Sequence, residues 1–163
     1  MSRVIAAFLM LLSWPHAWAC SCFGTASIEE AVTAHPLLIE GEVISLEETN
    51  SPEFGRQVYS ATLKVRKNLK GAASSETIVV EHLECYASLY PALMEIRHTY
   101  VLPLTRTENG RYSMAQCAHS GMELVGDSLY TFEHTTGLGR KRVFFKQYSA
   151  FQQSLRLKAQ DGR

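Results

Sequence analysis

No run in the 163-residue chain is long enough to cross a bilayer as a helix. The longest apolar stretch, Val4 to Trp14, ends at Pro15 and falls short of the roughly 20 residues that a helical span needs. An excess charge of either sign is also missing, with 16 Lys plus Arg against 16 Asp plus Glu. Such a balance gives no bulk attraction to nucleic acid or to an anionic membrane. Catalytic signatures are absent as well: there is no H-E-x-x-H, no G-x-S-x-G and no phosphate-binding loop. The histidines at 35, 82, 98, 119 and 134 are scattered. Glu81-His82 and Glu133-His134 are adjacent pairs, and strand neighbours point to opposite faces. The paired C-x2-C units of a thiolate zinc site are missing. No thioredoxin-like βαβ pattern surrounds the C-x-C of Cys20 and Cys22. These absences point away from an enzyme and from any cofactor of the chain's own. There is no internal repeat and no low-complexity linker.

What is present starts at the amino end. Arg3 is the only charge before the apolar run, and Ala17-Trp18-Ala19 places small residues at −3 and −1 relative to Cys20. This is the pattern of a secretory signal peptide over 1–19. Cleavage between Ala19 and Cys20 would send the remaining single domain, 20–163, out of the cytoplasm as a secreted or periplasmic protein. A lipoprotein signal also ends before a cysteine, but Ala17 and Trp18 fit its usual −3 and −2 residues poorly. Lipidation of Cys20 is therefore the minority alternative.

Four cysteines remain, at 20, 22, 85 and 117. An even count in an oxidising compartment makes two disulfides the default over a zinc site. A bond between Cys20 and Cys22 would close a very tight ring, so each is expected to reach a distant partner. Each long loop closed this way stabilises by roughly 4–5 kcal/mol in the chain-entropy model, less once the other is closed.

The remainder reads as strands with short helices near both ends. Ser27 and Glu30 form a capping box for a short helix that stops before Pro36. Leu37 to Leu46 is a strand with Gly41 as a bulge candidate, and 47–56 is an exposed loop. Val58 to Val65 alternates in polarity. Thr77 to Leu83 and His98 to Thr105 are further strands. Asn109-Gly110 turns the latter into Tyr112 to Cys117. Residues 86–97 are a loop or short helix. Val143, Phe144, Tyr148, Phe151 and Leu155 suit one face of a closing helix. The basic residues Arg140, Lys141, Arg142 and Lys146 read as a solvated face, with an anionic-partner patch as the alternative. Five strands with a helix or two are the inventory of a Greek-key OB-fold barrel; on strand count alone a β-sandwich competes equally.

The cysteine spacing separates the two. The start C-S-C of Cys20, Ser21 and Cys22 resembles the tissue inhibitors of metalloproteinases, within the wider netrin-like module superfamily. The early strand Ile39-Glu40-Gly41-Glu42-Val43, Leu69-Lys70-Gly71, Leu83-Glu84-Cys85 and Tyr100-Val101-Leu102 are similar too. So is Cys117 soon after the hairpin. The intervals of 65 residues from Cys20 to Cys85 and 95 from Cys22 to Cys117 are close to those of that family's N-terminal domain. The resemblance implies an all-β, five-stranded OB-fold barrel with short flanking helices and the pairings Cys20–Cys85 and Cys22–Cys117. It also implies a zinc metalloprotease as partner. Cys20 would chelate the protease's zinc through its α-amine and carbonyl oxygen, in trans. Ser21, Cys22 and Phe23 would contact the protease cleft, Ser21 entering the pocket for the residue after the cut, while Tyr86 and Leu89 add secondary contacts. Three features depart from the family. No cysteines remain for the third disulfide of the vertebrate inhibitors' first domain, Phe23-Gly24-Thr25-Ala26 replaces a proline-containing segment, and the second domain is missing. A plainer reading stays open: a non-inhibitory netrin-like binding module in which Cys20 and Cys22 are structural bridges. In it Ser21 is simply exposed, Phe23 packs on the barrel, and Tyr86 and Leu89 are ordinary loop residues.

Overall fold

The computed structural model describes residues 28–51, 56–83, 94–114, 121–135 and 139–161. Helix α1 (Ile28–Ala34) is followed by β1 (Leu37–Ser51), β2 (Arg56–Lys70), β3 (Thr77–Leu83), β4 (Thr99–Arg106) and β5 (Tyr112–Met114). Then come β6 (Met122–Val125), β7 (Ser128–Thr135), β8 (Gly139–Gln147) and α2 (Tyr148–Asp161). The first five strands close on themselves in the order β1-β2-β3-β5-β4, with β4 returning to pair with β1. The fold is therefore all-β with a closed five-stranded, OB-fold-like barrel and two short flanking helices. The closing seam is a short parallel pairing of β3 with β5, Val80 opposite Tyr112 and Glu81 opposite Ser113.

A five-stranded barrel needs strongly coiled strands, and β1 supplies the curvature. Its register against β2 slips at Leu38/Ile39, Glu40/Gly41 and Val43/Ser45, which lets residues 37–42 also pair with β4. Gly41 belongs at one of these slips: a Cβ there would sit 3.2 Å from Ile39 Cδ1. Strand β4 shows why a proline is tolerated inside a sheet. Its second edge pairs with β6 up to Val101 and with β5 from Leu104. Pro103 falls between these partners, where a missing N–H costs no ladder bond.

Alternation along β4 divides the core. Tyr100, Leu102 and Leu104 point into the barrel with Ile39, Val43, Leu63 and Val80, and Phe132 of β7 packs in the same cluster. Val101 points outward, into a second cluster with Leu38, Met122, Leu129, Ile28, Val32 and Phe151. The apolar sides of α1 and α2 thus cover the outer faces of β1, β4, β6 and β7. Lys70 Nζ donates to the carbonyls of Val32 (3.1 Å) and Thr33 (2.8 Å), satisfying free acceptors at the end of α1. Gly71 follows with φ 68°.

The structure extends the expected inventory in one direction. Three further strands, β6 to β8, continue the sheet outward from β4. Val143 and Phe144 lie on β8 instead of on the closing helix, which begins only at Tyr148. What ends the strand is a contact from elsewhere: Asp127, in the β6–β7 turn, accepts from the Ser149 N–H (3.0 Å) and hydroxyl (2.8 Å). The Asp127 carbonyl accepts from the Tyr148 N–H at 2.8 Å. This is an N-cap supplied by a neighbouring turn. The expected loop over 47–56 is also shorter, because β1 runs to Ser51 and β2 starts at Arg56; their hairpin pairing overrides the local loop composition. The capping residue Ser27 lies outside the described residues.

Candidate functional site

The strongest concentration of polar chemistry lies where β4 enters the barrel beside β6 and β8. The residues before β4 form a tight turn: the His98 N–H donates to the Glu95 carbonyl (3.1 Å), the Arg97 N–H to Val43 (2.9 Å), and the Val43 N–H to His98 (3.0 Å). Arg97 adopts φ 69°, a left-handed conformation that costs a non-glycine residue about 1–2 kcal/mol. Two bonds to β1 hold it there. The hydroxyl of Tyr100, deep in the barrel, accepts from the Glu95 N–H at 3.0 Å, tying the turn to the core.

Glu123 on β6 stands opposite Tyr100 of β4 and Tyr130 of β7. It is 1% exposed, the single buried charged residue among the described ones. His98 Nδ1 lies 2.7 Å from its Oε1. Arg142 Nη2, from β8, lies 2.8 Å from both carboxylate oxygens. The arginine is angled to hydrogen-bond Oε1, so Oε2 gains its charge without a hydrogen bond of its own. His98 Nε2 also sits 3.4 Å from Glu95, and the Arg142 guanidinium lies 5.7 Å from the centre of the Tyr130 ring. A buried carboxylate survives only when paired; here the pairs come from side chains that are themselves partly solvated.

Chemically, this arrangement locks geometry. It ties the β6–β8 extension to the barrel through one charged residue from each of β6 and β8 and a histidine from the turn before β4. Among the described residues no group of three or more His, Cys, Asp or Glu could hold a metal ion.

A second polar cluster stands at the other end of β4. His35 Nδ1 and Thr105 Oγ1 are 2.9 Å apart. Burial first, and then the charge of Lys70, holds the His35 pKa below its ordinary value. On the outer face the Tyr148 hydroxyl donates to Glu40. Burial and the adjacent carboxylate push that phenol's pKa upward. Between β2 and α2 lies an open groove of about 300 Å³, lined by Lys67, Leu69, Gln152, Leu155 and Arg156.

The residues singled out from sequence for binding, Cys20, Ser21, Cys22, Phe23, Tyr86 and Leu89, lie outside the described residues, as do the bridge partners Cys85 and Cys117. Their flanks are described. Cys85 follows the end of β3 at Leu83 by two residues, and Cys117 follows the end of β5 at Met114 by three. Because β3 and β5 are parallel neighbours, both strands leave the barrel at the same end.

Sequence reasoning missed Glu123. The available signal was the two-residue turn Gly126-Asp127 between Met122-Glu123-Leu124-Val125 and the strand Ser128–Thr135. Such a turn marks a hairpin and would have put Glu123 on a short strand.

No protein-family model matches the chain, and no curated protein matches it.

Proposed function

We propose that the mature chain, residues 20–163, is a secreted or periplasmic protein-binding module that inhibits a zinc metalloprotease through its own amino terminus. The group that acts is Cys20. With no residue before it, its free α-amine and its carbonyl oxygen can close a five-membered chelate on the protease's zinc and displace the water that would attack a peptide bond. The thiol takes no part, because its sulfur is held in the bridge to Cys85. The amine must be neutral to donate. From a reference pKa of about 7.7–8, losing its proton at pH 7 costs only ~1 kcal/mol. Ser21, Cys22 and Phe23 follow it into the cleft, and Tyr86 and Leu89 contribute at the side. The pairings Cys20–Cys85 and Cys22–Cys117 fix an end that would otherwise fray, which removes entropy cost from binding.

The observation that carries this reading is the barrel itself. It is a closed five-stranded, OB-fold-like barrel, as the resemblance implied, and β3 and β5 end side by side. Two anchors rising from adjacent strand ends suit two cysteines that are only one residue apart at the terminus.

The test is one added residue. Placing an alanine before Cys20 moves the free amine away from the Cys20 carbonyl, and inhibition of a zinc protease panel should fall about 100-fold, or ~2.8 kcal/mol. Equal inhibition by the extended form refutes the chelate. Mass spectrometry of the secreted protein reads the start residue, any lipid and the disulfides together. Tryptophan emission offers a quick check, since both tryptophans, Trp14 and Trp18, precede the cleavage point.

One observation favours a second reading, a binding module without zinc chemistry. The barrel carries a three-strand extension ending in β8, which offers a partner a sheet edge. On that reading the alanine extension changes nothing.

A further inference from the structure

The last strand of the sheet presents an edge with a particular chemistry. β8 pairs with β7 from Thr135 opposite Gly139 to Ser128 opposite Gln147, and among the described residues no strand pairs with its other side. At nine residues it is roughly 30 Å long. Open edges are usually kept short, interrupted by proline, or covered. β8 has no proline, and its one irregularity sits near its end. The slip between Leu129 and Tyr130 leaves Phe145 out of register, its ring turned to Phe151 at 6.4 Å. From Gly139 to Phe144 the edge is regular.

The side chains along that edge are cationic and apolar. Arg140, Lys141, Arg142 and Lys146 lie on a strand with no acidic residue. Phe144 is 53% exposed and meets Tyr130 edge-on at 6.0 Å. Arg142 is engaged by Glu123 and remains 43% exposed at its side chain; Lys146 lies over the Phe145 ring at 5.6 Å. Lys141 is exposed. Pairing β8 with its own copy, in any register, gives none of these cations an acidic partner. The charge thus discourages self-association while selecting a partner of opposite sign.

We propose that β8 is a docking edge for an extended acidic polypeptide segment, which adds to the sheet as a ninth strand. Main-chain bonds along residues 139–144 hold the segment. Its carboxylates lie on the face of Lys141, and its apolar residues lie on the opposite face and cover Phe144. This surface does not depend on the terminus at Cys20.

The probe is a fluorescein-labelled (Glu-Val)4 peptide titrated with the mature chain and followed by anisotropy, with (Glu-Pro)4 and (Lys-Val)4 as controls. (Glu-Pro)4 keeps the charge, but its prolines hold φ at about −65° and favour polyproline II, so it makes a poor ladder. (Glu-Val)4 should bind at least tenfold more tightly than either control, and more weakly as salt rises. Lys141→Glu and Phe144→Glu should each weaken it at least tenfold. Lys141→Glu, at an exposed position, keeps the test valid should Phe144→Glu fail to fold. Equal binding of (Glu-Pro)4 overturns the proposal in favour of a simple charge patch. Absence of saturable binding overturns it, and so does a dimer in sedimentation that Phe144→Glu dissolves. Alanine before Cys20 should leave peptide binding unchanged, so failure of the chelate and failure of this edge are told apart.

Discussion

Replacing Arg142 with alanine tests how the β6–β8 extension is held to the barrel. The substitution leaves the Glu123 carboxylate, 1% exposed, with His98 still beside it at 2.7 Å. Breaking a fully buried ion pair costs about 3–5 kcal/mol, and an exposed pair is worth about 0–1 kcal/mol. This pair lies between, because the arginine side chain is 43% exposed and the histidine stays. The expected loss is therefore about 2 kcal/mol, against a total stability of order 5–15 kcal/mol. Glu123→Gln removes the buried charge while keeping the side-chain shape, and lets Arg142 turn to water. It should cost about 1 kcal/mol or less. The double variant should then cost less than the sum, with a coupling of about 1–2 kcal/mol. Urea unfolding of the oxidised chain, followed by far-ultraviolet circular dichroism, measures all three. An Arg142→Ala variant within about 0.5 kcal/mol of the parent, or strict additivity in the double variant, would refute the reasoning.

Gly71→Ala should be among the most damaging single-methyl changes. Its φ is 68°, and the new Cβ would lie 2.5 Å from the Pro36 carbonyl oxygen, a backbone atom that cannot swing aside. A loss of about 2–4 kcal/mol is expected. Gly126→Ala has a similar φ of 60° with nothing within 4 Å and should lose only about 1 kcal/mol; equal losses in urea melts would discount the clash. For His35 the sign follows from its lowered pKa. The folded chain resists the proton that the unfolded chain takes up near 6.5. His35 thus contributes stability above that pH, lost as pH falls through and below it. Between pH 7.5 and 5 the parent should lose more stability than His35→Gln, and a variant with an equal or steeper acid loss would show the histidine to be irrelevant.

The five barrel strands were legible because each carries its own local signal. Val58 to Val65 alternates, Asn109-Gly110 turns, Gly41 marks the bend, and Thr77–Leu83 matches β3 as observed. Pro36 stops α1 where the chain must leave it. The same signals failed after residue 121. Met122–Val125 is only four residues long and places a charge at a buried position, so it reads as surface. Val143 and Phe144 fit the helical spacing of Phe151 and Leu155, and the basic residues around them look like a solvated helix face.

The strand pattern of the barrel is a property of neighbouring residues, and the chain's order of letters was enough to establish it. The state of residues 139–147 is not such a property. It is decided by the β7 ladder and by an Asp127 cap reached from 22 positions away, and Glu123 is tolerable in the interior only because Arg142 and His98 arrive from distant elements. Long-range pairing outweighs local preference there, because a ladder bond or a satisfied buried charge is worth more than the few tenths of a kcal/mol by which one residue favours helix or strand.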